Sequence, residues 1–336
     1  MKNKGILRRI LVIATLLALL IAAVPALAGV SLSLDPETEF YVAKRNQGAI
    51  LQIAELTSEG DKATAELIRA MIETPQSVWF ESGTPQDVQQ AVKNTVQRAA
   101  GKKTVPVLVA YNLPFRDCAQ FSAGGATTVE EYTAWIDGFA AGVGDAQALV
   151  ILEPDGLGII PWYKQFRGTP SEAGDYEWCQ PAEADEATAA DERFAMLNYA
   201  VDTLKAQPNV SVYLDSTHSS WLGSGDAAHR LIQAGVERAD GFFLNVSNYR
   251  FTEHLEKYGQ WTSDCIYLSQ NSWWQVQWCA SQYYPADPND FSTWYMTDAA
   301  YDQAFADTGL TRDPALQAHF VIDTSRNGLG SWAPPA

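Results

Sequence analysis

Short runs of apolar residues recur along the chain, and stretches with helical spacing of polar and apolar positions separate most of them. The runs predict six strands, at residues 77–80, 105–111, 148–153, 211–215, 241–246 and 319–324. The stretches between them predict helices at about 85–100, 129–143, 186–205 and 227–238. Almost continuously apolar strands that alternate with amphipathic helices are typical of a parallel sheet buried on both faces.

This alternation predicts an α/β fold. The chain has no Gly-rich phosphate-binding turn, which favours a parallel β/α barrel over a dinucleotide-binding sheet. Two stretches interrupt the pattern, residues 157–185 and 260–298, and both are aromatic, polar and rich in turn residues. We interpret them as long functional loops. We find no internal repeat or linker, so residues 29–336 are predicted to form one domain. Its last strand runs into a Pro-rich end, and we therefore expect this domain to be incomplete at its C-terminus.

Composition narrows the class of protein. Apolar residues make up 47% of the chain and charged residues 19%, which supports a large core and excludes general disorder. With 23 Lys and Arg against 40 Asp and Glu, the formal net charge is −17. Such a charge repels phosphate backbones and anionic lipids, so we predict neither nucleic acid nor a membrane surface as partner. The 11 Trp and 14 Tyr residues suit neutral, hydroxylated ligands.

Residues 1–28 have the pattern of an export signal. The first nine residues carry four basic side chains, residues 10–24 are all apolar or Thr, and Ala-Leu-Ala at 26–28 gives a cleavage site. The alternative is a membrane anchor, but an apolar run of this length is shorter than the roughly 20 residues that span a bilayer. We therefore predict a signal peptide and a secreted, extracellular mature protein that contacts no membrane.

The four cysteines are then expected to form disulfides, because the compartment is oxidising and their number is even. Three pairings are open. We favour Cys118 with Cys179 and Cys265 with Cys279, the second of which closes a short loop. The cysteine spacing fits no zinc pattern and the four histidines are scattered, so we predict no metal and no cofactor.

Carboxylates follow the carboxyl ends of the predicted strands, where β/α barrels hold their functional residues. They are Asp117, Glu153, Asp155, Asp215 and Asp323. Each could instead be a helix N-cap, but several acids around one rim raise one another's pKa, which indicates acid/base chemistry. Cleavage of a glycosidic bond needs one protonated carboxyl and a second carboxylate. Asp155 suits the acid role if the charge of Asp117 raises its pKa.

Tryptophans also fall at strand ends or in the two long stretches. They include Trp79, Trp162, Trp221, Trp273, Trp274 and Trp278. Packing in the core is the alternative for each of them. Exposed indoles in polar loops are costly unless they stack on a ligand, and sugar rings present suitable apolar faces.

Five segments together resemble glycoside hydrolase family six, a family of inverting cellobiohydrolases and β-1,4-endoglucanases. The segments are residues 111–118, 150–157, 213–221, 245–249 and 320–328, and the resemblance extends from about residue 40 to 336. It implies a distorted, partly open β/α barrel of about seven strands, with the last strand missing from this chain. It also implies the Cys118–Cys179 pairing.

The resemblance assigns roles to individual residues. It implies that Asp155 is the general acid, that Asp117 raises the pKa of this acid and helps to handle the attacking water, and that Asp215 supports positive charge in the transition state. Tyr111 would lie against the distorted sugar, and Arg116 would organise the carboxylates. The implied substrate contacts are Trp79, Trp221, His218, Asn245 and Asn248.

The sequence also departs from the family pattern. Ala123 stands where the family has a water-binding serine, with Ser122 beside it. Family members also continue beyond a Pro-Pro-Ala loop into a segment with the proposed partner base.

We predict a monomeric, inverting hydrolase of β-1,4-glucosidic bonds in cellulose or cello-oligosaccharides. Because the two long stretches resemble loops of bacterial cellobiohydrolases, we favour release of cellobiose from non-reducing ends. The alternatives are an endoglucanase, a truncated glucan-binding protein without activity, or another barrel glycosidase such as a xylanase.

Overall fold

A computed structural model describes residues 34–164, 166, 175–326 and 330 of the chain. The predicted signal peptide lies outside the described residues, as does the Pro-rich C-terminal end. None of the described helices is long and apolar enough to cross a membrane.

The sheet is parallel throughout. Its strands are Val78–Phe80 (β1), Val107–Ala110 (β2), Ala148–Leu152 (β3), Val210–Asp215 (β4), Gly241–Leu244 (β5) and His319–Ile322 (β6). Each strand pairs with the next along the chain, in the order β1 to β6, and the described sheet is not closed. The predicted α/β fold with an open parallel sheet is therefore confirmed. In the register, Ala110 of β2 lies opposite Leu152 of β3, which in turn lies opposite Leu214 of β4. The polar residues that follow these positions consequently emerge at one edge of the sheet.

Helices follow the strands and cover the sheet. They are Gln47–Glu59 (α1), Lys62–Glu73 (α2), Pro85–Gly101 (α3), Val129–Val143 (α4), Ala189–Lys205 (α5), Ser224–Gln233 (α6), Thr252–Asn271 (α7) and Tyr295–Thr308 (α8). The four predicted helices are present as α3 to α6, although α5 starts three residues later and α6 is shifted toward the N-terminus. A capping box at Thr84 and Asp87, with Pro85 in the first turn, fixes the start of α3. The sequence analysis did not predict α1 and α2.

The interpretation of residues 260–298 as one long loop is wrong in part. Helix α7 continues through Asn271, and α8 begins at Tyr295. Residues 261–268 are all buried, so this part of α7 shows no alternation of polar and apolar faces that would have revealed a helix. Trp261, which we expected in that loop, is only 1% exposed, and its ring centroid lies 5.2 Å from that of Trp294. It belongs to the core.

Glycines let two of the helices approach closely. A Cβ atom at Gly138 of α4 would lie 2.2 Å from the carbonyl oxygen of Pro85, and one at Gly142 would lie 2.6 Å from that of Gln89. Both contacts are with the backbone of α3, which cannot move aside alone. Hence α4 needs glycine at these two positions to pack against α3.

We expect Gly138→Ala to lower the free energy of unfolding by about 1–3 kcal/mol, because the added methyl group forces the two helices apart. Denaturant unfolding measures this change. Gly101→Ala is the matched control, since a Cβ atom at the end of α3 meets nothing within 4 Å. Equal stability of the two variants would contradict the close approach of α3 and α4.

Candidate active site

Strained backbone marks the carboxyl edge of the sheet. Among the described residues, eleven non-glycine residues have positive φ, and ten of them follow the ends of β2, β3, β4 or β5. They include Asp117 (φ 52°), Asp155 (φ 63°) and the β-branched Thr217 (φ 55°). Such conformations cost free energy and persist where the surrounding structure holds them, commonly at functional sites. None of the five candidate carboxylates is the N-cap of a described helix.

Asp155 follows β3 and is largely buried. Burial raises the pKa of its carboxyl to about 6, and the negative charge of Asp117 contributes in the same direction. Asp117, in the loop after β2, accepts a hydrogen bond of 2.8 Å from the Ser122 amide at Oδ2. The structure thus brings together the two aspartates that the sequence singled out. A carboxyl with this pKa is protonated often enough near neutral pH to donate a proton.

Asp215 ends β4 and is buried. Burial is the main reason that its pKa rises to about 7, and the charge of Asp155 adds to the effect. Its carboxyl accepts hydrogen bonds from the amides of Thr217, at 2.8 Å, and Leu157, at 3.4 Å. The three aspartates therefore interact in series, with Asp155 between Asp117 and Asp215.

Tyr111 and Trp79 form an aromatic corner at the ends of β1 and β2. Their ring centroids are 5.5 Å apart and the ring planes are almost perpendicular. Burial, followed by the charge of Asp155, raises the pKa of Tyr111 to about 12, which keeps its hydroxyl protonated. The guanidinium of Arg116 lies 4.5 Å from the centre of the Tyr111 ring.

Arg116 does not hold the carboxylates as the resemblance implied. Its side chain donates to the carbonyl oxygens of Tyr111, Glu81 and Ser122, at 2.6, 2.9 and 2.8 Å. Within the described part of the chain it forms no ion pair with an aspartate or glutamate. Arg116 therefore shapes the loop that carries Asp117, and the carbonyls of that loop satisfy its donors.

His218 and Trp221 follow β4. Burial lowers the pKa of His218 to about 4, helped by the positive charge of Arg250, so the imidazole is neutral. Its Nδ1 accepts a hydrogen bond from the Ser220 amide at 3.2 Å, and its ring centroid lies 5.7 Å from that of Trp221. A Cβ atom at Gly158 would lie 2.8 Å from the Trp221 indole. The indole thus fits against the loop that follows Asp155.

The two asparagines after β5 differ in their surroundings. Asn245 is fully buried; its amide nitrogen donates to the Asp323 carbonyl at 2.9 Å, and its oxygen accepts from the Arg250 amide at 3.1 Å. Asn248 is half-buried, and its oxygen accepts from the adjacent Tyr249 amide. Asp323 accepts from the amides of Ser247 and Ser325. Asn245 and Asp323 therefore join the ends of β5 and β6, and of the two asparagines only Asn248 retains exposed surface.

Glu153 lies beneath the rim rather than on it. It is buried and accepts hydrogen bonds from the amides of Asn112 and Leu113, at 2.9 and 3.1 Å. Burial raises its pKa to about 7, although these two hydrogen bonds oppose the shift. Glu153 therefore stabilises the backbone of the loop after β2.

The sequence analysis missed Arg193, which is fully buried on α5. Its guanidinium donates to the carbonyls of Pro114, Gly156 and Ile159 at 2.7–2.8 Å. Pro114 precedes Asp117, and Gly156 follows Asp155, so one side chain connects the loops of both aspartates. The signal was available in the sequence: positions 189, 193, 197, 200 and 204 form the apolar face of the predicted helix, and Arg193 is the charged residue on it.

Both disulfides join the cysteines that the sequence analysis favoured. Cys118–Cys179 ties the loop of Asp117 to the segment before α5, and Cys265–Cys279 ties α7 to the residues that follow it. In the described ranges, no group of three or more His, Cys, Asp or Glu side chains could hold a metal ion.

Interacting aspartates beside aromatic rings, at the carboxyl edge of an open parallel sheet, form a candidate site for carboxylate-dependent chemistry on a β/α fold. The sequence model of glycosyl hydrolases family 6 matches residues 35–336. The chain belongs to this family.

Two curated relatives are named endoglucanases. Endoglucanase 1 of Streptomyces halstedii is 32% identical over 82% of this chain, and endoglucanase A of Thermobispora bispora is 30% identical over 96% of it. The chain spans about two thirds of the length of each, namely 67% and 66%. Among solved structures, the endoglucanase Cel6 of Mycobacterium tuberculosis, in complex with methyl-cellobiosyl-4-deoxy-4-thio-β-D-cellobioside, is 28% identical with a TM-score of 0.57. The match covers 90% of this chain and 76% of that one.

We expect Arg193→Lys to lower the free energy of unfolding by about 2–4 kcal/mol, because an ammonium cannot reach all three carbonyls and leaves buried acceptors without donors. Denaturant unfolding measures this effect. Arg238→Lys is the matched control, since Arg238 forms its ion pairs at the surface and should cost less than about 1 kcal/mol. A similar small change at Arg193 would show that it does not secure the two loops.

Proposed function

We propose that this protein is an inverting hydrolase of β-1,4-glucosidic bonds in cellulose and cello-oligosaccharides. The observation that carries the proposal is the buried Asp155, whose pKa is raised to about 6 by burial and by the charge of Asp117. Family membership and the endoglucanase names of the two curated relatives support the substrate class.

In the proposed reaction, Asp155 donates its proton to the glycosidic oxygen as the bond from this oxygen to C1 breaks. A water molecule attacks C1 from the opposite face and inverts its configuration. The carboxyl oxygens of Asp215, which two backbone amides orient by hydrogen bonds, are assigned to stabilise the positive charge that develops on the sugar ring. Asp117 holds the charge that favours the protonated form of Asp155.

The remaining side chains are proposed to bind the sugar. Tyr111 keeps its phenol protonated beside the reacting ring, and Trp79 and Trp221 stack on sugar faces at either side of the cleavage point. His218, being neutral, offers Nε2 to a sugar hydroxyl, as does the half-exposed Asn248. With Ala123 in the position of the family serine, we assign water binding to the hydroxyl of the adjacent Ser122, whose side chain is near enough to Tyr111 to lower the pKa of its phenol.

Two observations favour endo action. The two curated relatives described above are named endoglucanases, and part of the stretch that suggested a cellobiohydrolase roof is helix α7. Release of cellobiose from non-reducing ends remains the second candidate, since β3 ends at Leu152 and α5 begins only at Ala189. The viscosity of a cellulose derivative, followed together with its reducing ends, distinguishes the two: an endoglucanase lowers viscosity early, whereas a cellobiohydrolase releases cellobiose with little loss of viscosity.

We also propose secretion through the predicted signal peptide and action as a monomer.

We expect proton NMR of cellotetraose hydrolysis to show the α-anomer of the new reducing end before mutarotation, because water attacks opposite to the leaving group. Asp155→Asn should abolish this signal, since an amide cannot protonate the glycosidic oxygen, while cellotetraose still binds. A β-anomer would refute inversion, and turnover by the variant would refute the assignment of the acid.

We expect kcat/KM to fall as pH rises through about 6, because Asp155 must be protonated and its pKa is about 6. Asp117→Asn removes the negative charge that helps to raise this pKa, so the falling limb should move to lower pH. Cellotetraose hydrolysis across pH 4–9 tests this. A falling limb that stays in place would mean that Asp117 does not act on the acid.

We expect Trp221→Ala to weaken binding of cellotetraose to the Asp155→Asn protein by about 1–3 kcal/mol, the range for a buried aromatic contact. Isothermal titration calorimetry measures this loss. Phe40→Ala is the control, since Phe40 is a partly exposed aromatic residue that pairs with Val105, before the start of β2 and at the opposite edge of the sheet. Unchanged affinity in the Trp221 variant would return that indole to a packing role.

A further inference from the structure

A segment of 22 residues, 265–286, contains no Asp, Glu, Lys or Arg, although the whole chain has 63 such residues. Within it lie three tryptophans and three tyrosines, together with five Asn or Gln residues. This composition cannot form ion pairs with a charged ligand. It combines flat apolar rings with amide donors and acceptors, the groups that recognise a neutral polyhydroxylated molecule.

The segment is held firmly against the residues that follow β4. Besides the Cys265–Cys279 disulfide, the Ala280 carbonyl accepts hydrogen bonds from the hydroxyls of Ser224 and Tyr301, at 2.5 and 3.0 Å. The buried Gln282 donates from its amide nitrogen to the Leu222 carbonyl at 2.9 Å. Because the backbone is fixed in this way, the rings that it presents are preorganised for binding.

Four aromatic rings of this segment are exposed. Trp273 is 59% exposed and Trp278 48%, while Tyr283 is 43% exposed and Tyr284 79%. The ring centroids of Trp273 and Trp278 lie 5.9 Å apart, and both rings contact Trp274, which packs against the core. Neighbouring exposed indoles of this kind commonly mark an interaction site.

Tyr283 connects this segment to the proposed sugar-binding site around Asp155, which we call the cleft. Its hydroxyl donates to the Trp221 carbonyl at 3.1 Å, and its ring approaches the position of a Cβ atom at Gly223 to within 3.8 Å. The aromatic segment therefore contacts the Trp221 side of the cleft.

We propose that Trp273, Trp278, Tyr283 and Tyr284 form a second binding surface for a single β-1,4-glucan chain, outside the positions where cleavage occurs. The planes of Trp273 and Trp278 are inclined by 58°, so both indoles cannot lie on one flat crystal face, whereas a single chain can turn between them. The proposal rests on the proposed function, because it takes the same glucan as ligand.

The experiment compares three full-length proteins that all carry Asp155→Asn, so that the polymer is not cut. The first has no further change, the second adds Trp273→Ala and Trp278→Ala, and the third adds Phe40→Ala as the control. Native gels that contain hydroxyethylcellulose, a neutral soluble polymer, measure affinity by retardation. We expect binding about tenfold weaker in the double-tryptophan protein, which corresponds to the loss of two aromatic contacts, and unchanged binding in the control.

A second measurement separates this surface from the cleft. With Asp155 intact, Trp273→Ala/Trp278→Ala should cleave cellotetraose at the rate of the unmodified protein, since a short substrate occupies the cleft alone. Loss of this cleavage would overturn the proposal, because the rings would then belong to the cleft. Equal retardation of the three proteins would overturn it as well, as would weaker binding to microcrystalline cellulose with retardation by hydroxyethylcellulose unchanged.

Two further results keep the tests independent. If the double variant shows a lower melting temperature, Trp273→Ala alone, at the more exposed indole, should still weaken retardation about threefold, and unchanged retardation would contradict the surface. If the unmodified protein fails to cleave cellotetraose, the proposed function fails, while the gels still decide whether the segment binds glucan.

Discussion

The structure depends on holding three aspartates close together at one edge of a parallel sheet, with Asp215 buried, Asp155 largely buried and Asp117 half-buried. Burial raises the pKa of Asp155 and Asp215, and each also feels the charge of its neighbour, Asp117 for the first and Asp155 for the second. Like charges that are partly removed from water repel one another and oppose folding. The register of the sheet nevertheless brings the strand ends, and with them these carboxylates, together. Burial first, and this coupling second, raises the pKa of Asp155 to about 6.

Backbone hydrogen bonds, rather than ion pairs, hold this arrangement. Arg193 and Arg116 are both cations near the aspartates, yet each directs its donors to carbonyl oxygens of the surrounding loops. Glu153 does the converse and accepts from backbone amides. Because these charged groups bind the backbone, they fix the strained loops without neutralising Asp117, Asp155 or Asp215. An arginine paired directly with Asp155 would lower its pKa and remove the acid.

Aromatic residues divide between the core and the exposed surface, and their local sequence does not tell where each one lies. Trp261 and Trp274 lie in stretches of similar composition, but the former is in the core and the latter supports two exposed indoles. Residues 260–271 looked like a loop because every position at 261–268 is buried, and burial on all sides removes the polar face that identifies a helix. In the same way, Asn245 lies in a motif that predicted a substrate contact, but its side-chain amide is hydrogen-bonded to backbone groups instead.

The sequence by itself determined the alternation of strands and helices, the order of the polar strand ends and the identity of the carboxylates, because parallel strands buried on both faces require long apolar runs and end in polar residues at one edge. Only the tertiary structure decided which charges interact. Asp155 lies between Asp117 and Asp215 through sheet register, and Arg193 joins loops 79 and 37 residues away in the chain. Electrostatic and hydrogen-bond energies depend on distance and burial, and residues distant in sequence acquire both only when the chain has folded.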